Sequence, residues 1–414
     1  MRIREAVLEY SNTFSGIETV VAQMRENLSG TERLTKDGQH CTVVPIPIAA
    51  TEPDQSIAAG IRAVGSNRLS RAVLAFSINY VGETPDDRRL AEVAEVVQAA
   101  TQNAPFASTF FTESYPPENG TMGNIRARLQ AASSVALMEE GYHLSRFTPV
   151  IIGDIDILKA GTGLLPGLAG AVQRAPHFAQ AAVIAGYSGN LHAAGLLPPN
   201  VSFPNMDRVL YFYNAAILAC EYATHGMWNA ILLGDYLDIH GYDITKLSGE
   251  DLDLQERLLR HIGQSLVRRL PPATGAFAVA QQRRYYARLQ SGHSILDSDN
   301  LATDFSTVDD ICRGKPYEDF RDISVDEADV AVKALWSLTG EVDRSRTLGD
   351  SIVWWRCRQL VRGSIGYNLG RNPSEEGYEL TRPEVRAAYQ EAKRYAKTLF
   401  ARVQHDYAYS RETT

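Results

Sequence analysis

The run Pro149-Val150-Ile151-Ile152-Gly153-Asp154-Ile155-Asp156 sets the strongest limit on the fold. A short, β-branched apolar run reads as a parallel strand buried on both faces. The carboxyl ends of such strands are where open α/β sheets place their ligands. Two carboxylates one residue apart at that position call for a positive partner. A hard divalent cation such as Mg²⁺ or Mn²⁺ takes oxygen ligands and also holds substrate phosphates. A strand-to-loop turn with solvated acids would carry the same residues, so the surrounding order has to decide.

That order alternates. Apolar positions at helical spacing (Ile3, Val7, Ile17, Val20, Val21, Met24), broken around Ser11 to Ser15, predict two helices or one kinked helix. Cys41 to Ile48 reads as a strand with prolines at its exit. A helix follows to about Val64, with Thr51 and Asp54 as candidate caps. Then come a strand at 72–81, a helix from Leu90 to about Ala100, a strand at 106–112, a helix at 124–140 and the strand that ends at Asp154. Strands alternating with helices predict a parallel sheet. Beyond Asp156 the chain is rich in Gly and Ala, with a strand expected at 181–185 and mostly helix from Asp207 to Tyr236. Acidic loops begin near Ser291, and helices are expected after them, one from Arg382 to about His405.

With 414 residues and 44% apolar content, the chain can bury a large core spread over two or three structural units. Its net charge is -8 and its basic residues are scattered, so no footprint for nucleic acid or an anionic membrane is expected. Cys41, Cys220, Cys312 and Cys357 lie far apart and form no metal-ligand spacing, which predicts free thiols in a reducing compartment. The N-terminus has charges where a signal peptide needs an apolar core, and Asn214, Glu221, His225 and Asn229 interrupt the most apolar stretch. A cytoplasmic protein without a membrane span is the expectation.

A second stretch, His240-Gly241-Tyr242-Asp243 through Gly249-Glu250-Asp251-Leu252-Asp253, puts acids on the first turn of a Leu-rich helix, beside the positive end of its dipole. With these residues in place, the layout resembles the glycosyltransferases of the GT-A fold, family 2 in particular. Val43-Val44-Pro45 through Thr51-Glu52 is similar to the family's first strand and acidic loop, and Gly123-Asn124-Ile125-Arg126-Ala127 to the helix before its metal motif. Asp154 and Asp156 match the Asp-x-Asp element. Gly241-Tyr242-Asp243, Glu250-Asp251 and Gln281-Gln282-Arg283-Arg284-Tyr285 match later ones. The departures are Ser77-Ile78-Asn79-Tyr80 where an acid usually holds the nucleobase, tyrosine for tryptophan at Tyr285, and a single glycine before Tyr242.

The resemblance implies a Rossmann-like α/β fold: a mostly parallel central sheet flanked by helices over residues 41–290, preceded by a helical segment at 1–40 and followed by a mainly helical region at 291–414. It implies transfer of a sugar from a nucleotide-diphosphate donor, UDP- or GDP-linked, to a small-molecule or glycoconjugate acceptor. By the same resemblance Asp251 is the base with Glu250 as substitute, and Pro45, Thr51, Glu52, Gly123, Arg126, Asp154, Gln281 and Arg284 bind the donor. Tyr242, Asp243 and Tyr285 bind the acceptor. Mg²⁺ or Mn²⁺ sits on Asp154 and Asp156, with His293 as a third ligand if configuration is retained. Inversion is the leading expectation. The alternatives are a retaining enzyme acting on glycerate or phosphoglycerate and a non-catalytic scaffold that binds nucleotide sugars. A nucleotidyltransferase would need a Gly-rich basic loop where this chain has Ala49-Ala50-Thr51-Glu52. The C-terminal helices, Val353-Trp354-Trp355 among them, are candidates for a lid or a homodimer contact.

Overall fold

The computed structural model describes residues 3–30, 41–67, 71–102, 104–174, 177–207, 209–210, 228–246, 250–262, 267–270, 274–281, 283, 286–287 and 316–328. The chain divides into two compact units, residues 1–183 with 224–278, and residues 184–223 with 279–414.

The first unit carries the expected alternation. Helices α1 (Ile3–Ser11) and α2 (Ile17–Glu26) lead to β1 (Thr42–Ala49), α3 (Asp54–Gly65), β2 (Ala72–Val81), α4 (Asp87–Thr101), β3 (Ala107–Tyr115), α5 (Met122–Glu139) and β4 (Pro149–Ile152). There follow β5 (Ile157–Ala160), α6 (Leu164–Arg174), β6 (Phe178–Gln180) and β7 (Ala182–Ala185). After α7 (Ser188–Ala193), which belongs to the second unit, come β8 (Asn229–Leu232), α8 (Leu233–Asp238), α9 (Glu250–Ile262) and β9 (Val267–Arg269) of the first, and β10 (Phe277–Ala280) at its end. Seven strands form the central sheet in the order β3-β2-β1-β4-β8-β6-β9, and a smaller sheet has the order β5-β10-β7. β3, β2, β1 and β4 are mutually parallel, while β8 runs antiparallel between β4 and β6. This is the mostly parallel, helix-flanked sheet that the resemblance implies.

The observed elements depart from the expected ones in four places. Pro45 and Pro47 lie inside β1 instead of at its exit. They are two residues apart, so both missing N–H groups fall on one side of the strand. The pairing with β2 stays continuous from Thr42 to Ala49, whereas the register with β4 is Val43↔Val150. Neither Thr51 nor Asp54 caps α3, whose N-cap is Pro53 without a side-chain hydrogen bond. Asn229 to Leu232, inside the stretch expected to be mostly helical, is the strand β8. An apolar run needs no alternation when both its faces are buried, and all four residues of β8 are. The Gly-rich stretch after Asp156 holds β5 and α6, for its Leu and Ala residues outweigh its glycines. The helix expected at 382–405 lies outside the described residues.

Helix α5 is buried on every face from Ile125 to Leu137. Its small residues, Ala127, Ala131, Ala132, Ser133, Ser134 and Ala136, let neighbours approach closely, and α1 and α2 share one core cluster with it and the sheet (Val7, Ile17, Val20, Met24, Val73, Ala75, Phe111, Leu129). Thr121 caps the helix by accepting a hydrogen bond from the Asn124 amide at 3.0 Å. Two arginines are caught inside it. A buried charge needs partners, and Arg128 donates to Glu113 at 2.7 Å and to the carbonyls of Ser15 and Gly16 at 2.8 and 3.3 Å. The other is Arg126.

The described part of the second unit is held by a half-buried carboxylate. Asp207 accepts from the Ser188 amide at 3.1 Å and from the Tyr286 hydroxyl at 3.2 Å, and burial pushes its acid up to about 6. Tyr286 sits among Phe203, Tyr317 and Phe320, edge-on to Phe203 with ring centroids 5.0 Å apart. Asp322 accepts from the amides of Asn205 and Met206, each at 3.0 Å.

Gly60 of α3 faces the turn after β4, where a Cβ would lie 1.9 Å from the Ile155 carbonyl oxygen. Gly60→Ala should therefore destabilise the chain by about 2–4 kcal/mol, because the obstacle is backbone. Gly170→Ala in α6 meets only the flexible end of Arg174 and should be neutral or stabilising by up to about 1 kcal/mol. Urea denaturation of the two variants side by side reads the difference.

Candidate functional site

The parallel strands β1, β2 and β4 deliver their carboxyl ends to one edge of the sheet, and the first turn of α5 reaches the same edge. Arg126 enters from that turn with its side chain 7% exposed. Its Nη2 donates to Asp154, its Nε to Glu250 Oε1 at 3.0 Å and its Nη1 to the Gly153 carbonyl at 3.4 Å. The guanidinium carbon stands 5.9 Å from the centroid of the Tyr242 ring. One cation thus joins the strand that ends in Asp154 to the helix that begins at Glu250, although the two acids are far apart in sequence.

Loop packing supports the same junction. Gly123 N–H donates to the Lys246 carbonyl at 3.2 Å, and a Cβ on Gly123 would fall 1.9 Å from the Asp243 carbonyl oxygen. The Thr121 hydroxyl donates to the Ile244 carbonyl at 2.5 Å. The loop that leads to α9 is therefore seated on the start of α5, and only a glycine admits it so closely.

The electrostatics are unequal. Asp154, Glu250 and Asp251 gather around one buried guanidinium, whose burial works against its charge while the three acids outweigh that and hold Arg126 charged. Glu250, 8% exposed, is pushed up from 4.5 to about 7, chiefly by burial and then by the neighbouring Asp251, with Arg126 opposing. Two carboxylates beside a strand end are oxygen donors of the kind Mg²⁺ and Mn²⁺ take, and the surplus negative charge suits a cation. Asp154 gives an oxygen to Arg126 and is 21% exposed, so the pair fits such an ion in ligand type. Among the described residues, one group of three side chains could also gather a metal: Asp235, Asp238 and His261. There Asp238 already accepts two hydrogen bonds from Arg146, and Asp235 pairs with His177 at 2.7 Å.

The remaining residues singled out in the sequence divide into three groups. Thr51 and Glu52 stand in the loop after β1, at the same edge, whereas Pro45 is buried within the strand. Tyr242 is 4% exposed with its hydroxyl buried, and it forms the wall beneath Arg126. Asp243 is tied up in a turn, accepting from the amide and hydroxyl of Thr245 at 2.9 and 2.7 Å, which draws its acid down. Gln281 and Arg283 are buried in the second unit. Arg284, Tyr285 and His293 lie outside the described residues.

Two residues with no motif of their own stand at this edge as well. Trp228 is fully buried at a backbone φ of 59° and lays its ring on Gly153. A bulky residue in the left-handed region is strained, and such strain concentrates at functional sites. Arg89, from α4, donates to the loop after β1. Trp228 was hidden in a stretch expected to be helical. Arg89 bonds residues 35 to 39 positions away, which no local pattern reveals.

No protein-family model matches the chain, and no curated protein matches it. Solved structures do. Over 87% of this chain and 91% of the other it is similar to Staphylococcus aureus TarS 1-349, with 11% identity and a TM-score of 0.37. Over 98% of this chain and 96% of the other it is similar to the mannosyltransferase PcManGT from Pyrobaculum calidifontis in complex with GDP-Man and Mn²⁺, with 14% identity and a TM-score of 0.37. A third is glucosyl-3-phosphoglycerate synthase from Mycobacterium tuberculosis in complex with Mg²⁺ and UDP, at 11% identity, 57% and 71% coverage and a TM-score of 0.31. Likenesses this distant say nothing of substrate or mechanism. Among the described residues no helix is long and apolar enough to cross a membrane.

Arg126→Met would leave the buried Glu250 and the partly exposed Asp154 without their cation and should cost about 3–5 kcal/mol in denaturant unfolding. Glu250 adds a pH dependence. Its acid ionises at about 7 when folded against 4.5 ordinarily, so the folded chain holds that proton more tightly. The stabilisation is complete below about pH 4.5 and is lost as pH rises to about 7. Glu250→Gln should shrink the fall in melting temperature between about pH 5 and about pH 8. An unchanged fall would assign that slope to other groups.

Proposed function

We propose that the chain is a metal-dependent glycosyltransferase that moves a sugar from a UDP- or GDP-linked donor to a small or soluble acceptor with inversion, its catalytic region running from about 41 to 290. The observation that carries this reading is the grip of Arg126 on Asp154 and Glu250 at the carboxyl edge of the parallel strands. Direct displacement at a sugar carbon needs two things in one place: charge relief for the departing diphosphate and a base for the incoming hydroxyl. The first belongs to the strand end, the second to the start of α9.

A divalent cation, Mg²⁺ or Mn²⁺, held by Asp154 and Asp156 would relieve the charge on the leaving diphosphate. Arg126 adds a fixed positive charge that burial keeps undiluted by water, and it holds the Asp154 carboxylate in one orientation. Thr51 and Glu52, in the loop after β1, face the donor in this reading. Glu250 is a poor base as it stands, because Arg126 occupies one of its oxygens and it is 8% exposed. Asp251 follows it on the same first turn, is less deeply buried, and takes the role of base toward the acceptor hydroxyl.

Two variants separate these roles. Asp156→Ala should abolish transfer and weaken Mn²⁺-dependent binding of the nucleoside diphosphate at least about tenfold, read by calorimetry. Asp251→Asn should lose about 10²–10⁴-fold in turnover and keep nucleotide affinity within about twofold. Equal loss of nucleotide binding in both would remove Asp251 from the role of base.

A further inference from the structure

Arg89 stands on the first turn of α4, where its amide donates to the N-cap Asp86 at 3.0 Å. Its guanidinium turns away from its own helix and reaches the loop after β1. Nε donates to the Ala50 carbonyl at 2.7 Å, and Nη2 donates to the Glu52 carbonyl at 2.8 Å and to Asp54 Oδ1 at 2.7 Å. Nη1 makes a longer contact of 3.5 Å with Glu92. Two residues of one short loop and the first residue of α3 are thus held by one planar fork.

The same loop is tied from its other side by amides, Ala50 N–H to the Asn79 carbonyl at 2.7 Å and Glu52 N–H to the Ala49 carbonyl at 2.9 Å. Ala50 is therefore fixed at both its N–H and its C=O. A loop between a strand and a helix is normally the most mobile part of such a unit. Here a guanidinium 25% exposed removes that freedom, and its rigid geometry suits several acceptors at once in a way a lysine cannot copy. The cost of ordering the loop has then been met before any ligand arrives.

We propose that Arg89 is the positioning residue of the nucleotide site: it preorganises the Ala50–Asp54 loop, and with it Thr51 and Glu52, for the nucleoside part of the donor. The proposal rests on the transferase reading above for what the loop binds. Arg89 touches no reacting group, so its effect falls on affinity and leaves the chemical step alone.

The test compares the full chain with Arg89→Ala and Arg89→Lys, using UDP and GDP with Mn²⁺ as probes in calorimetry, together with amide hydrogen exchange. Arg89→Ala should weaken nucleotide binding about ten- to a hundredfold and speed exchange across residues 50–57 at least about tenfold, while α5 keeps its protection. Arg89→Lys should recover part of both, which a general loss of folding would not produce. Full nucleotide affinity in Arg89→Ala, or exchange at the loop unchanged from the parent, would overturn the inference and leave the transferase reading intact. A parent chain that binds neither nucleotide would overturn both.

Discussion

A guanidinium buried at the edge of a sheet has to be answered by negative charge close by, since leaving it alone in a low-dielectric interior would cost several kcal/mol. Arg126 is answered by Asp154 and Glu250, and each of those comes from a different part of the chain. The pairing therefore dictates more than a local contact. It requires the end of β4, the first turn of α5 and the first turn of α9 to converge on one point. Tyr242 and the backbone contacts of Gly123 close the junction around it.

The rest of the first unit can be read as what makes this convergence possible. α5 can carry two charged residues in a buried position because small side chains elsewhere along it let α1, α2 and the sheet pack against it tightly. Gly60 lets α3 press on the Ile155 carbonyl, so α3 packs directly against the turn between Asp154 and Asp156. Trp228, strained at φ 59°, lays its indole on Gly153. Arg89 performs a comparable service for the loop after β1. These contacts come from five different elements, and they share one result: the edge of the sheet is stiff where a ligand would meet it.

The β-α alternation of residues 41–154 was legible because buried parallel strands are continuous apolar runs and the helices between them keep a helical period. The acids at Asp154, Asp156, Glu250 and Asp251 were legible for another reason: charged residues at the end of an apolar run stand out. What stayed hidden was set by contacts distant in sequence. Nothing local distinguishes β8 from a buried helix, because both are apolar without alternation. Pro45 and Pro47 pointed to the end of a strand, yet two prolines of like parity can be accommodated inside one. The bond from Arg126 to Glu250 spans 124 residues, and the resemblance offered Arg126 only as a donor contact. Tyr242, which the resemblance offered as an acceptor contact, is 4% exposed and packs beside Arg126.

If the acids at the end of β4 form one site for a cation and a nucleotide, both should bind there together. Anomalous diffraction from crystals grown with Mn²⁺ and a nucleoside diphosphate tests it directly. A manganese peak is expected at Asp154 and Asp156, with the diphosphate on it and the Arg126 pairs to Asp154 and Glu250 preserved. Manganese found only at Asp235, Asp238 and His261, or a nucleotide bound away from the end of β4, would contradict it.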